Sequence, residues 1–238
     1  MKSDVKIFVG LDSEHRIAYD VCKFSIERNT KISFDIQPIN RYTVREYART
    51  ADETESTDFS FARFFVPYKS KFVGISVFMD GDFLFLKDIN GLLELYDDRY
   101  AVMCCKHTYA PTSLTKMNGK IQTVFPRKNW SSLMLFNNAH PKIKTLNPLT
   151  INNQSGAFLH QFKYLDDDEI GSIPIQWNWL VGWNNDADGE PNALHYTEGG
   201  PWLPNHKDNG YDSSFHTYRE EYERDTKSEI DKRIDRKP

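Results

Sequence analysis

An α/β domain around a mostly parallel central sheet is the fold class that the sequence predicts, and three observations predict it. Residues 5–11 (VKIFVGL) form a strand-like apolar run that passes through the polar turn Asp12-Ser13 into a helical-looking segment, residues 16–28. Residues 72–79 (FVGISVFM) are apolar almost without interruption, as a strand covered on both faces reads, and such strands belong to mostly parallel sheets packed between helices. With 238 residues, 39% hydrophobic and 14% aromatic, the chain carries enough apolar side chains for one sizeable core.

The remaining elements follow in order. Residues 32–36 alternate as a second strand, and residues 59–68 (FSFARFFVPY) read as a short buried helix led by Ser56, Thr57 or Asp58 as N-cap. Residues 101–105 and 132–136 are further strands, separated by a polar stretch, 107–127, whose length suits a substrate loop better than a plain connection. Residues 150–164 have helical period, and 173–179 are rich in strand formers. Residues 183–198 are mostly turn residues around a short strand at 194–196. From Phe215 onward the composition turns strongly charged, at spacings that suit a solvated helix or a frayed terminus. The expected division is a main domain over residues 1–205 and a charged extension over 206–238, helical or partly disordered.

Composition narrows the partners. A formal net charge of -4 without a concentrated basic stripe argues against a nucleic-acid-holding protein, and the apolar runs are far short of a membrane span. The opening residues carry charge where a secretory signal needs an apolar core, so a cytoplasmic location is expected. Cys22, Cys104 and Cys105 lack zinc-ligand spacing and read as buried, reduced thiols.

Asp80-Gly81-Asp82 closes the most apolar strand, where open α/β sheets place their ligands. Among 21 Asp, Asp-x-Asp pairs arise by chance, and Asp166/Asp168 and Asp186/Asp188 are two more, so placement rather than pattern singles out the first. Two carboxylates in such a turn suit Mg2+ or Mn2+, hard cations that leave positions open for a diphosphate. The ordinary alternative is a solvated turn. Asn184, Asp186, Asp188 and Gly189 resemble the first half of a calcium loop, but its twelfth position is His195 and Pro191 interrupts it, so a polar surface loop is expected there. The acidic run 166–169 needs a cation, a basic partner or sugar hydroxyls opposite it.

Taken in order, several segments resemble the GT-A glycosyltransferases of family 8 and a related group of viral and bacterial glycosyltransferases. Phe8 to Ser13 is similar to the first strand and nucleotide loop, Ser60-Phe61-Ala62-Arg63 to the Tyr-Ala-Arg segment whose arginine reaches the donor, and Phe78 to Asp82 to the DxD motif. Leu135-Phe136-Asn137-Asn138 resembles the Phe-Asn-Ser/Ala-Gly segment beside the donor sugar. Leu165 to Glu169 and Ile173 to Asn178 resemble the acidic sugar-binding segment and the Leu-Pro-x-x-Trp-Asn motif. His195-Tyr196 and Pro201-Trp202 resemble the late His and Pro-Trp. The likeness covers roughly residues 5 to 203.

That resemblance implies a metal-dependent glycosyltransferase of hexosyltransferase type. It would take a nucleotide-sugar donor, UDP-linked, and a carbohydrate or glycoconjugate acceptor, and would retain anomeric configuration. Asp80, Asp82 and His195 would hold Mn2+ (or Mg2+). Gly10, Leu11, Asp12, Ser13, Gly81, Asn137, Gly199 and Gly200 would lie at the nucleotide and donor, and Arg63 with Asp167 or Asp168 would orient the donor sugar. The sequence departs from the family at Gly200, where a diphosphate-contacting Lys is usual. Arg127 or Lys128 could substitute on charge grounds, and Asn138 stands where a small residue is common. Two rival classes remain at this stage: a glycoside hydrolase using two carboxylates, and a carbohydrate-binding module using Trp130, Trp177, Trp179, Trp183 and Trp202 as stacking faces.

Overall fold

The computed structural model describes residues 5–50, 55–108 and 126–234. Its strands are β1 (Lys6–Gly10), β2 (Asp35–Ile39), β3 (Ile75–Met79), β4 (Phe83–Phe85), β5 (Val102–Cys104), β6 (Leu133–Asn137), β7 (Ile170–Ser172), β8 (Trp179–Leu180) and β9 (Ala193–His195). Six of them form a sheet in the order β2-β1-β3-β6-β5-β7, and β4-β9-β8 form a small second sheet. In the large sheet β1, β2 and β3 are mutually parallel, β5 and β7 are parallel, and β6 alone runs against its neighbours β3 and β5.

The strands read as continuous apolar runs because both faces are covered. Phe8, Phe78, Met134, Phe136, Val102 and Cys104 pack into one core, while Ile7, Val9, Val77, Met79, Leu133 and Leu135 point into another. Fully burying a side chain of this size stabilises the fold by roughly 1.5–3 kcal/mol. Helix α1 (Arg16–Asn29) packs Tyr19, Cys22 and Ile26 at helical spacing into the second core, and Ser25 Oγ accepts from the Phe85 backbone N–H at 2.9 Å. All three cysteines are buried and free.

Several boundaries differ from the sequence expectation. The second strand sits at Asp35–Ile39 rather than 32–36, and it tolerates Pro38 because it is the edge strand of the sheet. Residues 59–68 form a 3₁₀ turn (Ala62–Phe65) leading into α2 (Val66–Lys69). Another short helix, α3 (Asn90–Leu93), was not anticipated. The helical stretch 150–164 is split into α4 (Pro148–Asn153) and α5 (Gly156–His160), because Ser155 accepts from Phe158 N–H as the N-cap of a new helix. Residues 173–179 are not a strand: Ile175–Asn178 make a 3₁₀ turn behind Pro174, which buries Trp177 and Asn178 together. Of the long polar stretch 107–127, residues 109–125 lie outside the described residues.

Helix α6 (Asp212–Ile234) is the helix expected for the charged extension, but it is more than a solvated one. Phe215 is 1% exposed and packs with Trp179, Tyr196 and Trp202, and Tyr222 meets Phe24 of α1 at 5.9 Å. Asn29 Nδ2 donates to Tyr218 Oη at 2.8 Å. Among the described residues, no helix is long and apolar enough to cross a membrane.

Candidate functional site

The site is built around the turn that follows β3. Asp80 N–H donates to the Ser132 carbonyl at 2.9 Å, and two residues later the Asp82 carbonyl accepts from Tyr196 N–H at 3.0 Å. The turn is thereby clamped between the large sheet and β9. A side chain at Gly81 would place its Cβ 2.1 Å from the Gly10 carbonyl oxygen, so only glycine lets these two backbones approach. Because β4 pairs with β9 in the register Phe83↔His195, the imidazole lands beside the turn. Asp80, Asp82 and His195 each present a ligand atom within 4.8 Å of the others, and His195 Nε2 lies 3.4 Å from Asp82 Oδ1. Two carboxylates and an imidazole nitrogen are a donor set that fits Mn2+.

Arg63 is 6% exposed, a buried position rather than a surface one. Its Nη1 lies 2.8 Å from Asp80 Oδ1 and also donates to the Ser131 carbonyl, while Nε donates to the Ser60 carbonyl at 3.0 Å. Burial pushes its guanidinium down from the ordinary value, and Asp80 and Asp82 oppose that shift. The charge persists, since an arginine does not give up its proton in a protein.

Two clefts meet along this group. One, of about 550 Å³, is lined by Gly10, Asp12, Tyr19, Gly81, Gly199 and Trp202. The other, of about 1280 Å³, is lined by Arg63, Asp80, Lys128, Ser131, His160 and His195. Asp82, Phe59 and Thr197 belong to both. Burial raises the Tyr19 phenol to about 12, so it remains a neutral wall of the smaller cleft. Gly199 has φ 118°, a backbone conformation that suits glycine.

The structure gathers most of the predicted residues and separates some. Gly10, Asp12, Gly81, Gly199, Arg63, Asp80, Asp82 and His195 line the two clefts. Leu11 sits behind them, its N–H on the Ile39 carbonyl. Ser13 faces away into a side cavity and bonds Asp58 through both N–H and Oγ. Gly200 is buried against the Trp202 ring. Asn137 is not brought to the site: it pairs with Ile75 at the opposite end of β3 from Asp80, and its Nδ2 donates to the Asp98 carbonyl. Asp167 and Asp168 line neither cleft. Asp167 pairs with Arg127, Lys142 pairs with Asp166 and Glu169, and Asp168 is exposed, so basic partners face three of the four acidic residues. In the loop 184–189, Asp188 accepts from Asn184 Nδ2 and Asn185 N–H, which accords with the expected polar surface loop.

Other groups were not foreseen as site residues. Ser131, Ser132 and Asn129 line the larger cleft, and Asn178, 0% exposed, sits under His195. Between the two basic candidates the structure discriminates: Arg127 turns to Asp167 and the Trp130 ring, whereas Lys128 is 7% exposed and lines the cleft. Arg127 and Asn129 on either side of Lys128 have φ of 60° and 65°, left-handed conformations that cost energy in residues other than glycine and that cluster at ligand sites. His107 completes the surroundings. Burial, then the neighbouring His195, depress it to about 4, so it adds no positive charge near neutral pH.

No protein-family model matches the chain. Protein CDI of Arabidopsis thaliana is 47% identical over 237 residues, covering 97% of this chain and 92% of its own length. Among solved structures, the glycosyltransferase GlyE of Streptococcus pneumoniae TIGR4 superposes with a TM-score of 0.60 at 16% identity, over 90% of this chain and 60% of GlyE. The galactosyltransferase LgtC, solved in complex with donor and acceptor sugar analogs, superposes with a TM-score of 0.55 at 13% identity, over 91% of this chain and 95% of its own. The chain thus spans three fifths of the length of GlyE and nearly all of LgtC. These likenesses establish the GT-A fold.

Proposed function

We propose that this chain, which belongs to the family of Protein CDI of Arabidopsis thaliana, is a glycosyltransferase that moves a hexose from a UDP-linked donor to a carbohydrate or glycoconjugate acceptor. The observation that carries this reading is the convergence of Asp80, Asp82 and His195 at the meeting of two clefts on a GT-A fold. A nucleotide diphosphate and a sugar need such paired spaces with a cation position between them.

Asp80, Asp82 and His195 would hold Mn2+ (or Mg2+), which when bound neutralises charge on the departing diphosphate. The chain's own residues do the rest. Arg63 fixes the Asp80 carboxylate and contributes positive charge to the cleft that receives the donor sugar. In the smaller cleft, Asp12 with the backbone at Gly10, Gly81 and Gly199 takes the nucleoside, with Tyr19 and Trp202 as its aromatic walls. Lys128, which lines the larger cleft, supplies the cation that Gly200 cannot. Ser131 and Ser132, rather than Asn137, Asp167 or Asp168, stand beside the sugar. Retention of anomeric configuration is part of the reading, from the resemblance to the retaining family.

The test is release of free nucleotide from a panel of nucleotide sugars, with and without Mn2+, by wild type and by Asp82→Asn. Metal-dependent release that Asp82→Asn lowers at least a hundredfold is expected on the scale of lost transition-state electrostatics. Hydrolysis of an oligosaccharide without nucleotide sugar would make the chain a glycosidase, and sugar binding without turnover would make it a lectin-like module.

A further inference from the structure

His195 is 1% exposed and its ring stacks on Phe83 with centroids 4.4 Å apart. Its Nδ1 lies 2.8 Å from Asn178 Oδ1, which leaves Nε2 on the side of Asp82. Which nitrogen carries the proton follows from two contacts further along. Ser132 Oγ is 2.6 Å from the Asn129 carbonyl oxygen, and a carbonyl only accepts, so the hydroxyl proton is committed there. Toward Asn178 the Ser132 oxygen can then only accept. The Asn178 atom 2.9 Å from it is therefore the amide nitrogen, and the amide oxygen must face the imidazole. An oxygen acceptor at Nδ1 requires a proton on Nδ1 and leaves the lone pair on Nε2.

We propose that Ser132 and Asn178 are positioning residues that lock His195 in the Nδ1–H tautomer and direct its Nε2 lone pair into the space shared with Asp80 and Asp82. The purpose of this lock rests on reading those three residues as a cation site. An Nε2–H ring would present a donor where a ligand atom is needed, so the relay decides whether His195 can bind a cation at all. Asn178 and Ser132 are 0% and 2% exposed; Ser132 spends its hydroxyl on Asn178 and the Asn129 carbonyl, and Asn178 meets the His107 side chain in addition to the relay. Partners of this kind tune metal affinity about 10–100-fold when removed.

The experiment uses the full chain free of metal. Nitrogen-15 histidine side-chain spectra at about pH 8, above the ordinary imidazole pKa of about 6.5, report which nitrogen is protonated. Calorimetry with Mn2+ alone reads affinity, and melting temperature checks that each variant is folded. Wild-type His195 is expected as Nδ1–H. Ser132→Ala, which frees the Asn178 amide to turn over, is expected to mix the tautomers and weaken Mn2+ binding about tenfold or more. Asn178→Asp retains an acceptor for Nδ1–H in either orientation and is expected to stay within a few-fold of wild type, while a folded Asn178→Ala is not. An Nε2–H ring in the wild type, or equal Mn2+ affinity in wild type and Ser132→Ala, overturns the proposal. Because the tautomer is read without metal or donor, an Nδ1–H wild type that binds no Mn2+ supports the lock and overturns the cation reading instead.

Discussion

Arg63 and Asp80 form an ion pair, Nη1 to Oδ1 at 2.8 Å, with their side chains 7% and 15% exposed. One end belongs to the buried aromatic layer, where Arg63 lies over the Phe59 and Phe78 rings, and the other to the candidate cation site. Arg63 therefore ties the aromatic layer to that candidate site. Arg63→Ala should lower turnover on a nucleotide sugar at least tenfold and also destabilise the fold by about 3–5 kcal/mol, since it breaks a buried ion pair. Chemical denaturation alongside kinetics checks both. An unchanged denaturation midpoint would leave Arg63 with the role of a donor contact alone.

Gly81→Ala tests the close backbone approach. Its Cβ would meet a carbonyl oxygen, not a side chain that can rotate away, so the turn carrying Asp80 and Asp82 must move. Loss of Mn2+ binding by more than tenfold is expected, together with a lower urea midpoint. Wild-type affinity in a folded Gly81→Ala would show that the turn can shift without consequence.

The stability of the fold should depend on pH through its buried imidazoles. His160 is depressed to about 3, chiefly by burial and then by Arg63 and Arg49, and His107 to about 4. Both remain neutral in the folded chain, whereas an unfolded histidine takes its proton near pH 6.5. The unfolded chain thus binds more protons below that pH. Stability is full above about 6.5 and falls as pH drops toward 4 for His107 and toward 3 for His160, with a slope of up to about 1.4 kcal/mol per pH unit for each. Urea midpoints from pH 7.5 to 4.5 measure this. His160→Gln should flatten the slope, and an identical slope in that variant would remove His160 from the account.

Phe215 anchors α6 on the core. Phe215→Ala should cost about 3–5 kcal/mol, the usual penalty for emptying a packed aromatic position. Ending the chain after residue 225 keeps Phe215, Tyr218 and Tyr222 and should change the melting temperature little, while ending it after residue 210 should lower it sharply. Equal melting temperatures for the two truncations would show that the helix contributes nothing to the fold.

Much of the site is local in sequence and was therefore legible. Asp80 and Asp82 follow an apolar strand whose covered faces and closing turn are both written in neighbouring residues. What could not be read was strand direction. The Leu-Phe-Asn-Asn likeness placed the donor end at the carboxyl end of β6, but β6 runs opposite to β3, so its amino end, with Ser131 and Ser132, meets Asp80. Long-range pairing decides that polarity, and no residue within β6 encodes it. The same holds for Asn178, whose place under His195 depends on a 3₁₀ turn in a segment that reads as a strand. Arg63 was located but its burial was not, because its Asp80 partner comes from another element.

The pairing of β4 with β9 also sets an order of events in time. Asp80 and Asp82 leave the ribosome long before His195, more than a hundred residues later in the chain. On the proposed cation-site reading, a nascent chain would hold the ion only loosely until β9 docks, so full affinity would wait on that pairing. Bound Mn2+ would then act as a clasp on a strand made long after the Asp80–Asp82 turn. Hydrogen exchange at Leu194 and Tyr196 should slow on adding the ion more than exchange in β1, and uniform slowing would show that the two segments close independently of it.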